Sequence, residues 1–276
     1  MTKINQKPDG SVTFELVITK EIIAKEYGHA LSEVAKTASI KGFRPGKAPL
    51  SMVEAQTDKS QLYSHVLDHV LSPAYSEVIH EHKLIPLIEP RVNPKGMEEG
   101  KDWLMDVEVA VAPTFTLGDY AKLVTAALKK HAKDHQHVAK EGQKPKEAEK
   151  EAEDHKLNVI FDALLDGVKL EVSGLLIEEE AKSALTRLAQ QLSSLKVSVA
   201  DYAKSIKKTT DELIAEYKKS AESNLKLEFI LQKLIEDQKP EVTEAEVAEM
   251  KPKKGQEGYA KYVLQKRKIL DFLSKL

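Results

Sequence analysis

The stretch GFRPGKAP, Gly42 to Pro49, decides how the first part of this chain is read. Gly42 and Gly46 open backbone angles closed to other residues, while Pro45 and Pro49 fix φ and offer no N–H to a ladder or a helix interior. The segment therefore predicts a stiff turn that presents Phe43, Arg44 and Lys47. Loops of this composition usually do no more than connect two helices. This one sets an aromatic side chain beside a guanidinium, the residue types that anchor binding hot spots.

On the N-terminal side of the loop, Ile22, Ile23, Tyr27, Ala30, Leu31, Val34, Ala35 and Ala38 recur at helical spacing from Glu21 onward. Before them Val12, Phe14, Leu16 and Ile18 alternate with Thr13, Glu15 and Val17, the period of a strand with one buried face. On the other side Pro49 suits the first turn of a second helix, and Leu62 to His82 continues helical with Pro73 kinking or dividing it. Two strands are expected to follow, Leu84 to Val92 and Trp103 to Val111, with Gly96 and Gly100 marking the turn between them. A strand, helices and an antiparallel hairpin make an α+β N-terminal domain with the loop projecting between helices.

GFRPGKAP resembles the GFRxGxxP signature of the trigger factor family, matching it at Gly42, Phe43, Arg44, Gly46 and Pro49. The similarity continues through Thr116 to Tyr120, Leu175 to Leu185 and Tyr202 to Val247, so it covers most of the chain. The resemblance implies a ribosome-binding domain over residues 1–115 and a helical substrate-binding domain with arm-like helices over 116–276. It further implies that Gly42, Phe43, Arg44, Pro45, Gly46, Lys47 and Pro49 dock on the large ribosomal subunit, at protein and rRNA near the exit tunnel. Nascent and unfolded polypeptides would be the clients, held without ATP in the cytoplasm.

From Gly118 onward the pattern is helical throughout. Thr209 with Glu212 and Thr243 with Glu246 form capping boxes, and Ser198 with Asp201 is a weaker version. A helix over Leu213 to Ile235 widens its apolar surface along its length. The last helix, Tyr259 to Leu276, sets Tyr262, Val263, Ile269, Leu270, Phe272, Leu273 and Leu276 against Lys261, Lys266, Arg267 and Lys268, an amphipathicity that means docking onto its own domain or onto a client.

Residues 129–156 balance opposite charges and nearly lack large apolar side chains, so they predict a solvated hairpin or linker with a break near Gly142 and Pro145. Within it EAEKEAEDHK reads as helical. Family members carry a prolyl isomerase domain of the FK506-binding type at this place. Nothing between Asp119 and Val172 supplies its glycine-rich, aromatic β sequence, and the linker holds no aromatic residue. The isomerase activity is not carried over, and no enzyme is expected.

The chain has 276 residues, enough for roughly two domains. Its 41% hydrophobic residues suffice for real cores, and its 31% charged residues nearly cancel to a net charge of −2, so general polyanion binding is not implied. Cysteine is absent, which excludes disulfides, thiolate metal sites and cysteine nucleophiles. No signal-length apolar core and no membrane-spanning run occurs. His131, His135 and His137 stand near Asp134, and His65 with His69 repeats a one-turn spacing, yet no HExxH pattern occurs and no metal is assigned. No GxxxxGK[ST] or GxGxxG occurs, so no cofactor is expected.

For the anchor, Lys36, Lys41 and Lys59 are candidate electrostatic guides. For clients, the apolar residues Leu175, Leu185, Leu188, Leu192, Leu195 and those of the final helix remain undivided between core and cradle. A weak homodimer would cover exposed apolar surface of an unoccupied chaperone. The alternative reading is a ribosome-assembly or RNA-binding factor that uses the same basic loop.

Overall fold

Val12, Phe14, Leu16 and Ile18 all lie on the buried face of one strand, and Trp103, Met105, Val107 and Val109 on the buried face of another. These strands pair antiparallel in a register that sets Val12 opposite Val109, Phe14 opposite Val107, Leu16 opposite Met105 and Ile18 opposite Trp103. Because the side-chain period of a strand is two, that register puts both apolar sets on the same face, where helices cover them. The computed structural model describes residues 2–134 and 145–276. The chain divides into two compact units, Met1–Ala112 and Pro113–Leu276.

In the first unit β1 (Ile4–Gln6), β2 (Ser11–Ile18), β3 (Arg91–Gly96) and β4 (Trp103–Ala110) form one antiparallel sheet in the order β1-β2-β4-β3. The helices are α1 (Lys20–Thr37), α2 (Leu50–Gln56) and α3 (Lys59–Glu81). α1 contributes Ile23, Ala30, Leu31 and Ala35 to the core, and α3 contributes Leu62, Val66, Val70 and Val78. α3 runs unbroken through Pro73, so the proline neither divides it nor ends it. Trp103 is fully buried and meets Tyr63 edge to face, with ring centroids 5.7 Å apart.

One expectation for the sheet needs correction. The strand expected over Leu84 to Val92 begins only at Arg91. Pro86 and Pro90 cannot donate to a ladder, and the stretch before Arg91 is tied to the sheet through the Leu87 N–H to the Ala110 carbonyl, 2.9 Å. The short β1, by contrast, was not expected. Its turn signal is Pro8-Asp9-Gly10: Gly10 has φ +85°, and the Ser11 N–H donates to the Asp9 carboxylate at 2.8 Å.

The second unit contains α4 (Tyr120–Asp134), α5 (Pro145–Gly167), α6 (Gly174–Ser194), α7 (Val199–Ser205), α8 (Thr210–Gln238), α9 (Glu244–Glu249) and α10 (Glu257–Ser274). Both capping boxes are complete. Thr209 accepts from the Glu212 N–H while Glu212 accepts from the Thr209 N–H, and Thr243 and Glu246 repeat the arrangement. Ser198 accepts from the Asp201 N–H. α8 buries Leu213 and Ala221 early and Phe229, Ile230, Leu231 and Leu234 together near its end, where it is covered on more sides. α10 docks within its own unit, against α5, α8 and α9, with Ile269 and Leu273 buried. α4 and α5 approach so closely that a Cβ at Gly167 would lie 2.3 Å from Leu123. EAEKEAEDHK lies on α5, and the expected break at Gly142 falls outside the described residues.

Candidate functional site

The chain from Ala38 to Pro49 leaves α1 and enters α2 through two tight turns. The Phe43 N–H donates to the Ile40 carbonyl at 3.0 Å, with Gly42 at φ +93°, and the Lys47 N–H donates to the Arg44 carbonyl at 3.0 Å, with Gly46 at φ +75°. A positive φ at the third position is the type II signature, and Pro45 fixes the second position of the second turn. Gly46 also donates its N–H to the Ala38 carbonyl at 3.2 Å, which pins the tip back onto the end of α1. A Cβ there would sit 2.6 Å from the Lys36 carbonyl oxygen, so glycine is required twice over. Ile40 is buried in the core below, and Ala48 packs against it.

The stiff base holds an exposed tip. Phe43 keeps 40% of its surface in solvent, and Arg44, Pro45, Lys47 and Pro49 are also exposed. Arg44, Lys41 and Lys47 have no ion-pair partner among the described residues. The start of α2 adds two apolar side chains that reading the loop alone missed, Leu50 at 46% and Met52 at 40% exposure. No pattern in the sequence marks them as exposed; they stay outside because α2 is a short helix that buries only Val53. Among the proposed guides, Lys59 pairs with Glu99 at 3.1 Å, with both side chains largely in solvent.

Tyr27 meets Tyr63 with tilted rings, centroids 5.4 Å apart, and its hydroxyl donates to Glu54 at 3.0 Å, joining α1 to α2. Burial, and then the neighbouring Glu54 carboxylate, push the Tyr27 phenol up to about 12. It therefore remains a neutral donor at any physiological pH.

The helical unit offers a different surface. A groove of about 380 Å³ runs between α6, α7 and α8, lined by Ala181, Leu185, Ala189, Val199, Leu213 and Ile214 and almost wholly apolar. Glu178 and Lys218 also line it and pair at 3.3 Å. The undivided apolar residues now separate. Leu175 and Leu192 belong to the core, Leu185 lines the groove, and Leu195 is 71% exposed just past the end of α6. On α10, Tyr262 and Lys266 both donate to Glu228 of α8, Lys266 at 2.5 Å. Burial opposes ionisation of Glu228, but the two donors overcome it and hold the carboxyl below its usual range. These bonds fix α10 as a structural element of the unit.

The histidines group differently from their order in sequence. His65 and His69 of α3 meet Glu33 of α1, whereas His131 of α4 meets His155 of α5 at 2.8 Å. His135 and His137 lie outside the described residues.

Two family models match the chain: "Bacterial trigger factor protein (TF)" over residues 1–145 and "Bacterial trigger factor protein (TF) C-terminus" over residues 132–274. They overlap, so no unmatched stretch separates them. The trigger factor of Limosilactobacillus fermentum is 38% identical over 113 residues, 41% of this chain and 26% of that protein. That of Listeria welshimeri is 36% identical over 114 residues, again 41% and 26%, and that of Limosilactobacillus reuteri is 33% identical over 111 residues, 40% and 25%. The matched part of the chain thus spans about a quarter of the length of these curated relatives. A solved structure described as "Promiscuous Substrate Recognition in Folding and Assembly Activities of the Trigger Factor Chaperone" superposes with a TM-score of 0.66, covering 100% of this chain and 99% of that one. At 13% identity that likeness speaks for the fold.

Proposed function

Because this chain belongs to the trigger factor family, we propose that it is an ATP-independent chaperone that docks at the ribosomal exit tunnel through the Gly42–Pro49 loop and shields unfolded polypeptide with its helical unit. The observation that carries the docking is the exposure of Phe43 and of Arg44, which has no ion-pair partner among the described residues, on a loop whose base admits only glycine at position 46. A rigid tip loses little conformational entropy on binding, which is what an anchor requires.

The anchor can be sized. A charge-assisted hydrogen bond from Arg44 contributes about 1.5–3 kcal/mol. Phe43 is already more than half covered, so seating its remainder adds only about 1 kcal/mol of the 1.5–3 that full burial would supply. Leu50 and Met52 add about 1 kcal/mol each on the same reasoning. These contributions approach, and do not reach, the roughly 8 kcal/mol of a micromolar complex. Lys36, Lys41 and Lys47 supply electrostatic guidance for the rest, and the complex is predicted to weaken with salt.

Client holding is assigned to the groove between α6 and α8 and to isolated exposed residues such as Leu195. Shallow, separate apolar contacts suit a client that must later be released, because several weak sites on one chain hold it by multivalency. The proposed role contains no covalent step, and the adjoining matches of the two family models support a chaperone working without an isomerase domain.

Phe43→Ala with Arg44→Ala is expected to abolish co-sedimentation with ribosomes while the circular dichroism spectrum stays unchanged; unaltered sedimentation rejects the anchor. Leu185→Ser with Ile214→Ser is expected to weaken suppression of aggregation of a denatured enzyme in the absence of ribosomes and ATP. The same assay separates the second reading, an assembly or RNA-binding factor, because such a protein would leave the enzyme to aggregate. The apolar lining of the groove favours the chaperone.

A further inference from the structure

His65 and His69 stand one helical turn apart on α3, with ring centroids 4.6 Å apart and the rings tilted by 45°. Glu33, from the packed neighbour α1, places a carboxylate oxygen 3.1 Å from His65 Nε2. One donor atom from each residue lies within 4.8 Å of the other two. The three come from positions 32 and 36 residues apart in sequence, so only the packing of α1 on α3 assembles them.

We propose that Glu33, His65 and His69 form a binding site for a divalent transition-metal ion of the zinc class. Two imidazoles at i and i+4 with one carboxylate make a nitrogen-rich donor set that suits zinc or nickel and gives magnesium or calcium, which take oxygen ligands, little to hold. Tetrahedral zinc with bonds of about 2.0–2.1 Å sets its donors about 3.4 Å apart. The Glu33–His65 pair already meets that spacing, and His69, on an exposed stretch of helix, reaches it by side-chain rotation. Binding requires His65 Nε2 to give up any proton it shares with Glu33, by release to solvent or by transfer to the other ring nitrogen. A solvent water completes the coordination shell.

The site has a mechanical consequence. Glu33 lies in the last turns of α1, whose final residues receive the loop through the Gly46 to Ala38 bond. A metal shared between α1 and α3 cross-links the two helices at the foot of the Gly42–Pro49 loop. The inference rests on the geometry of the three side chains and not on the proposed ribosome docking.

The test uses the full chain carrying His131→Ala, His135→Ala, His137→Ala and His155→Ala, which removes every histidine after position 82. Titration with zinc chloride or nickel chloride, followed by calorimetry and thermal denaturation, is expected to show a single equivalent bound and a raised melting temperature, with magnesium chloride giving neither. Adding His65→Ala and His69→Ala is expected to lose both signals, and Glu33→Ala to weaken binding. If the background variant binds no zinc or nickel, or if binding survives removal of His65 and His69, the site is overturned. A circular dichroism spectrum unchanged by the substitutions separates loss of ligand from loss of fold.

Discussion

The two units place their apolar residues by different rules. The α+β unit gathers its buried side chains into one cluster, with Trp103 among its largest members and strands and helices closing around it. The helical unit buries Ile160 and Leu164 of α5, Ile230, Leu231 and Leu234 of α8 and Ile269 and Leu273 of α10 where those three helices pack together, and leaves the groove beside Leu185 and Ile214 open. Backbone strain is distributed just as unequally. In the first unit the left-handed angles fall on Gly10, Gly42, Gly46 and Gly100 and on Lys83 after α3, whereas the second places Lys196, Lys207, Lys239 and Lys251 there at helix ends, beside Gly118 and Gly255. A concentrated core can hold a single projecting loop in a fixed pose. An open apolar groove leaves surface for contacts that are individually weak.

The largest test of this contrast is Trp103→Ala. Removing a fully buried indole is expected to destabilise the first unit by about 3–5 kcal/mol, read by chemical denaturation with Trp-independent far-ultraviolet circular dichroism. No substitution of an exposed or half-buried apolar residue of the helical unit, Leu185 included, should approach that loss. If one does, the groove is part of the packed core and not open surface.

Next comes the loop. Gly46→Ala faces both a positive φ and the Lys36 carbonyl, and is expected to lose about 1–3 kcal/mol. Gly42→Ala meets nothing within 4 Å and bears only its backbone angle, about 1 kcal/mol. Equal losses in thermal melts would show that the close approach to α1 does not hold the tip.

A smaller effect, of opposite sign, is expected at the helix ends. Lys196→Gly relieves a left-handed lysine at φ +58° just after α6 and should stabilise the helical unit by about 0.5–1 kcal/mol.

The smallest effect concerns pH. Hydrogen bonds from Lys268 and the Thr243 N–H lower the Glu246 carboxyl from 4.5 to about 2. Its folded pKa lies below its unfolded one, so its contribution is complete above pH 4.5 and fades as the pH falls toward 2. The group is fully exposed, and the slope in an acid titration should be slight and should diminish further in Lys268→Ala.

Legibility in the sequence followed the range of the forces involved. The capping boxes at Thr209 and Thr243, the buried alternation of β2 and β4 and the two turns of GFRPGKAP depend on neighbours within a few positions, and each could be read from residue type and spacing. The apolar pattern of Leu84 to Val92 suggests a strand, while the ladder needs N–H groups that Pro86 and Pro90 lack, so pairing starts only at Arg91. Several helix ends carried no glycine to mark them, since lysine occupies the left-handed position.

By itself, the sequence determined the α+β and helical halves, the stiff loop with Phe43 and Arg44 at its tip, and the family likeness. Only the tertiary structure decided that Leu50 and Met52 lie exposed beside that tip, that Lys59 pairs with Glu99, that Leu185 lines a groove while Leu192 is core, and that Glu33 reaches His65. The reason is physical. Local backbone preference is set by the next few residues, whereas burial and charge pairing depend on which distant segments pack together.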